Sequence, residues 1–138
     1  MTYYAVIDTN VIVSSMLRSG SIPDEVVQLA LEGPIIPLVN QEILDEYEEV
    51  LTRNKFGFDE VKIKRMIDDL SKRAIFLDKT KTDEIFPDPD DAVFYEIVMT
   101  ARKVADAYLV TGNIKHFPIK SFVVTPKEML DIVKGTEE

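Results

Sequence analysis

Short apolar runs alternate with amphipathic stretches along the whole chain, with no internal repeat and no linker between them. Tyr4-Ala5-Val6-Ile7 reads as a buried first strand. Asp8-Thr9-Asn10 offers N-cap chemistry to a helix running through Val11-Ile12-Val13 to Leu17, where Ser19-Gly20-Ser21 breaks it. Pro23 suits the first turn of a second helix over 24–31, which Gly33-Pro34 ends. Ile35-Ile36-Pro37-Leu38-Val39 predicts a second strand, with Pro37 pointing to an edge position or an early bend. Asn40 can cap a helix reaching Arg53 that places Ile43, Leu44, Tyr47, Val50 and Leu51 on one face. Asp59 can cap the next, where Val61, Ile63, Met66, Ile67 and Leu70 recur at helical spacing. A short strand at 74–77, a polar loop over 78–87 and a helix from near Asp90 to Val104 follow. Strands at 107–110 and 122–124 lead to Thr125-Pro126-Lys127-Glu128, a capping box with proline at the first helical position.

Strands alternating with helices call for an α/β fold, a parallel sheet flanked by helices. The chain of 138 residues suits one domain, expected over 1–134, with 135–138 as a frayed tail. In such a sheet ligands bind beyond the carboxyl ends of the strands, so chemistry is sought there.

Composition narrows that chemistry. The chain is 46% hydrophobic and 30% charged, a globular balance. It has no cysteine and one histidine, which excludes thiolate sites and any zinc site needing several imidazoles. No apolar stretch approaches the roughly 20 residues that span a bilayer. Met1 leads straight into the first strand without a basic leader, so a cytoplasmic location is expected. Sixteen basic residues against 25 acidic ones give a net charge of −9, unlike a protein that coats nucleic acid by neutralising phosphates. The acids are clustered, at Glu42–Glu49 and Asp83–Asp91, while Lys115 and Lys120 flank a stretch without acids. An acidic pocket with a basic rim has this kind of sequence, and so has an ordinary solvated surface.

Two strands end in polar residues that would lie at the ligand-binding edge. The first delivers Asp8, Thr9 and Asn10, and the later one delivers Thr111, Gly112 and Asn113. Asp88-Pro89-Asp90-Asp91 opens a helix whose preceding loop can reach the same edge. Glu42 and Glu46 lie one helical turn apart, so one can point inward while the other stays in water. Carboxylates with no thiolate and one imidazole select hard ions, Mg²⁺ or Mn²⁺, and a cation would relieve the repulsion among them. Each acid also has a plainer reading: Asp8 as a helix cap, Asp88 and Asp90 as acids favoured by a helix dipole, Glu46 as a solvated residue. His116 reads as a structural or rim residue, and no glycine-rich phosphate loop is present.

Val6-Ile7-Asp8-Thr9-Asn10-Val11, Glu42-Ile43-Leu44-Asp45-Glu46-Tyr47, Asp88-Pro89-Asp90-Asp91 and Tyr108-Leu109-Val110-Thr111-Gly112-Asn113 follow one another in the order seen in PIN-domain proteins. With Ile114-Lys115-His116-Phe117-Pro118 after them, the chain resembles the PIN branch of toxin components of toxin–antitoxin pairs. The resemblance implies a three-layer α/β/α fold on a parallel sheet of about five strands. It also implies a metal-dependent endoribonuclease acting on RNA with Mg²⁺ or Mn²⁺, a homodimer, and a cognate antitoxin as partner. Carried over by position, Asp8, Glu46 and Asp91 resemble the catalytic metal ligands, with Asp88 an auxiliary acid. Asn10 would brace Asp8, and Thr111 and Asn113 would position water or phosphate. Many PIN domains have an aspartate where this chain has Asn113, which removes a negative charge and motivates an alternative: a catalytically weak or inactive RNA- or protein-binding module. A receiver-like or phosphatase-like domain phosphorylated on Asp8 is a third reading, though Asp8-Thr9-Asn10 supplies one carboxylate where such sites usually need more.

Overall fold

A computed structural model describes residues 1–135. Five parallel strands form one sheet: β1 (Tyr3–Ile7), β2 (Ile35–Val39), β3 (Ile75–Phe76), β4 (Ala107–Val110) and β5 (Val123–Val124), in the spatial order β3-β2-β1-β4-β5. Among the described residues six α-helices flank it: α1 (Thr9–Leu17), α2 (Ile22–Glu32), α3 (Gln41–Leu51), α4 (Glu60–Arg73), α5 (Ala92–Arg102) and α6 (Pro126–Gly135). This is the expected α/β architecture. The tail expected over 135–138 falls outside the described residues from position 136 onward, and Gly135 closes α6.

The continuous apolar runs are the strands because both faces of the sheet are covered. Ala5, Val6, Ile7, Leu109 and Val110 are fully or almost fully buried, and Phe94, Ile97 and Val98 of α5 fill the space against β1 and β4. Val26, Val27 and Ala30 of α2 face β2 and the neighbouring helices α1 and α6. Several helix starts follow the capping logic. Ser21, Asn40 and Asp59 each accept a backbone N–H with the side chain. In α6 the Glu128 amide donates to Thr125 Oγ1 at 3.1 Å, and the Thr125 amide donates to Glu128 Oε1 at 2.9 Å.

Three expectations are corrected. Pro37 is not on an edge strand: β2 lies between β1 and β3. The proline is tolerated because β3 pairs with β2 only at Leu38 and Val39, so the missing N–H interrupts no ladder bond on that side. Val61, placed on the apolar face of α4, is 64% exposed, since Ile63 and Leu70 alone are fully covered there. The helix expected from Asp90 begins with a 3-10 turn, Pro89–Asp91, before α5.

The strand order reverses direction between β1 and β4. Chain segments leaving these two strands diverge to opposite sides, which opens a crevice at their carboxyl ends. No helix among the described residues is long and apolar enough to cross a membrane.

Candidate active site

Asp8 and Thr111 are the first residues beyond β1 and β4, and therefore stand on either side of that crevice. Parallel pairing of Ile7 with Val110 brings them together, and the Asp8 amide donates to the Val110 carbonyl at 2.9 Å. Asp8 stands at the N-cap position of α1 but makes no capping bond with its side chain. Its carboxylate turns across the crevice, where Oδ2 accepts the Thr111 hydroxyl at 2.8 Å and the Asn10 amide at 3.2 Å. Asn10 spans the gap with its other end, accepting the Gly112 amide on Oδ1 at 3.0 Å. Asn10 thus touches both strand ends, Asp8 after β1 and Gly112 after β4. Thr111 is fully buried, and its hydroxyl also accepts the Asn113 amide at 2.9 Å, so it orients Asp8 and the turn rather than facing an incoming phosphate.

Helix α3 brings the second acid. Tyr47 is buried and donates its hydroxyl to the Ile7 carbonyl at 2.6 Å, which pins the middle of α3 against the end of β1. That contact turns Glu46 toward the crevice, where Oε2 accepts the Thr9 hydroxyl at 3.1 Å. Glu42, one turn earlier, is exposed and paired with Lys79 at 2.8 Å. The third acid, Asp91, closes the 3-10 turn before α5, and its Oδ2 lies 3.1 Å from His116 Nδ1. Asp88 sits farther out: it is exposed, and its Oδ1 accepts the Asp90 amide as the cap of that turn. Asn113 is half-buried at the start of the 3-10 turn Ile114–His116 and makes no capping bond with its side chain.

Sequence reasoning missed two contacts here, Thr9 to Glu46 and His116 to Asp91. Thr9 was hidden inside an N-cap motif. The 3-10 turn that aims His116 is only three residues long and leaves no periodic signal.

The electrostatics follow from the packing. Burial pushes the Asp8 carboxyl up to about 6, the Thr111 hydrogen bond opposes the rise, and the nearby charges of Asp91 and Glu46 add to it. Glu46 is raised by burial, with Glu49 and Asp90 adding and the Thr9 hydrogen bond opposing. Asp91 is also raised by burial, partly offset by its hydrogen bond to His116. A cleft of about 250 Å³ beside Glu46 is lined by Glu42, Glu46, Asp90 and Glu96, with Lys79 at its side.

Oxygen donors in mutual repulsion, one of them buried, match the charge and hardness of a divalent cation such as Mg²⁺ or Mn²⁺. Asp8, Glu46 and Asp91 are the side chains that would hold it. Among the described residues no three acidic or histidine side chains draw together as a closed ligand set. The fit is therefore one of donor type and charge, as for ions that keep several waters and complete their shell with phosphate oxygens.

A family model described as PIN domain matches residues 4–115, which include all four strand-end and helix-start segments that build this acidic face. No curated protein matches the chain. PIN domains are generally nucleases and typically use divalent metals. The match extends over more than half of the chain, and the five-stranded parallel sheet agrees with it: this chain belongs to the PIN-domain family.

Proposed function

We propose that the chain is a Mg²⁺- or Mn²⁺-dependent endoribonuclease. The observation that carries this reading is the buried Asp8 carboxylate at the β1–β4 crevice, held within electrostatic reach of Glu46 and Asp91. Each of the three acids is tied through one oxygen: Asp8 Oδ2 by Thr111 and Asn10, Glu46 Oε2 by Thr9, Asp91 Oδ2 by His116. Such ties fix the planes of carboxylates that would otherwise rotate apart under their own repulsion. A bound divalent ion supplies an activated water and offsets the charge that develops on a phosphodiester. The protein's own part is to hold three acids in place, with Thr111 and Asn10 orienting the deepest one and the Thr111 hydrogen bond partly offsetting the effect of its burial. Asn113, half-buried and next to Thr111, would position water or the scissile phosphate with its amide. Lys115 and Arg18 are exposed and would supply the positive rim that RNA needs against the net charge of −9. The reading extends to a toxin with a cognate antitoxin, acting in the cytoplasm as a homodimer, with the metal-binding domain over 1–134.

Asn113 favours a second reading, a binding module of weak or no activity, because the amide lowers the negative charge available to a cation. Wild type and Asn113→Asp incubated with single-stranded RNA, in Mg²⁺, in Mn²⁺ and in chelator, separate the two. Metal-dependent cutting by the wild type, lost in chelator and restored by added metal, supports the nuclease. Cutting confined to Asn113→Asp supports the binding module. The phosphoacceptor reading finds no support in the surroundings of Asp8, whose neighbouring charges are Asp91 and Glu46 rather than a lysine.

A further inference from the structure

His116 is the only histidine in the chain, and its one part in the proposed chemistry is the contact of its Nδ1 with Asp91 Oδ2. Its position is tightly determined. The 3-10 turn that carries it is closed by His116 N–H to the Asn113 carbonyl at 3.0 Å and by Phe117 N–H to the Ile114 carbonyl at 3.1 Å. Phe117, the next residue, is 5% exposed and packs edge-on against Phe86 with ring centroids 6.2 Å apart. Three residues on, Lys120 pairs with Glu84 at 3.6 Å. The segment after β4 is thus fastened at three successive points to the stretch that runs into and through the Pro89–Asp91 turn: Lys120 to Glu84, Phe117 to Phe86, and His116 to Asp91. Two of these contacts are ordinary loop packing. The third ends on a carboxylate of the acidic face.

We infer that His116 is a positioning residue: its Nδ1–H holds Asp91 Oδ2 and so presents the other carboxylate oxygen to the metal-binding face. An ionised carboxylate only accepts, so the hydrogen in this contact belongs to Nδ1. The buried Phe117 fixes the backbone behind the ring, and the imidazole transmits that rigidity to Asp91, which sits on a turn rather than inside a helix. Imidazole-to-carboxylate contacts of this kind set the orientation of metal ligands, and losing one typically costs about 10- to 100-fold in metal affinity. The inference rests on the metal-dependent reading above.

The test uses the full chain with Mn²⁺ as the probe, in wild type, His116→Ala and His116→Asn. The asparagine is informative because it places an amide N–H on Cγ, where Nδ1 stands in histidine. Mn²⁺ uptake is followed by EPR of the free ion, and the tautomer of the single imidazole by ¹⁵N NMR of metal-free wild type at pH 8. The expected results are an Nδ1–H tautomer, Mn²⁺ binding weakened about 10- to 100-fold in His116→Ala, and substantial recovery in His116→Asn. On labelled RNA at fixed, subsaturating Mn²⁺, His116→Ala should lower kcat while KM for RNA stays within about twofold. An Nε2–H tautomer, unchanged Mn²⁺ affinity in His116→Ala, or a rise in KM with kcat intact would overturn the inference, the last marking His116 as an RNA contact. Mn²⁺ uptake without cleavage by wild type would remove the nuclease reading and leave the positioning role standing. No uptake at all would remove both.

Discussion

Asp8 is buried among donors that only partly compensate its charge, and two more acids stand close by. Its carboxyl is raised from 3.8 to about 6, so the native protein binds this proton more tightly than the unfolded chain does. The sign follows directly: the metal-free protein should lose stability as pH rises through that interval, by up to about 3 kcal/mol from this group. Below about pH 4 the group is protonated in both states and the penalty disappears. Asp8→Asn removes the titrating carboxyl while keeping its shape. Thermal unfolding without metal should therefore show the variant more stable than wild type at pH 7 and the two nearly equal at pH 4. A variant less stable than wild type at pH 7 would mean that Asp8 is an ordinary structural acid. Sequence alone could place Asp8 at a strand end but could not choose between a helix cap and a site acid. In the fold the Asp8 side chain makes no cap bond and instead accepts the hydroxyl of Thr111, a residue 103 positions away.

At the scale of elements, α3 decides which glutamate reaches the residues that follow β1. Its spacing left Glu42 and Glu46 open, because residues one turn apart share a face and differ only by their height along the axis. The Tyr47 hydroxyl on the Ile7 carbonyl resolves this by fixing that height. Glu46→Gln should lower cleavage by an order of magnitude or more, whereas Glu42→Gln, which removes only an exposed pair with Lys79, should leave it near wild type. The reverse pattern would place the register one turn off. Tyr47→Phe leaves a buried carbonyl without its partner and should cost about 1–3 kcal/mol in denaturant unfolding, with no effect if water replaces the hydroxyl. The caps at Asn40, Asp59 and Thr125 were legible because their chemistry is local. The placement of β2 inside the sheet was not, since a proline can sit there only when its neighbour is as short as β3. The same limit hid the 3-10 turn carrying His116.

For the whole molecule, the strand order β3-β2-β1-β4-β5 converts segments far apart in sequence into one acidic face. Alternation of strands and helices made the fold class readable, and the rule that ligands bind at strand carboxyl ends made the face findable. The order itself depends on packing that no local pattern encodes. A cation bound at this face should stabilise the folded state by mass action, so Mg²⁺ or Mn²⁺ should raise the melting temperature of wild type. The shift should be largest near pH 7 and should shrink below pH 5, where protons compete for Asp8. An equal shift in Asp8→Asn would show that the ions act elsewhere on a surface of net charge −9.

The most direct test compares wild type and Asp8→Asn on a labelled single-stranded RNA, with Mg²⁺, with Mn²⁺ and with chelator, after confirming that both are folded. The expected result is cleavage by wild type that needs metal and is reduced by at least about 100-fold in the variant. Cleavage by Asp8→Asn at the wild-type rate, or wild-type cleavage that persists in chelator, would contradict a metal-dependent nuclease centred on Asp8.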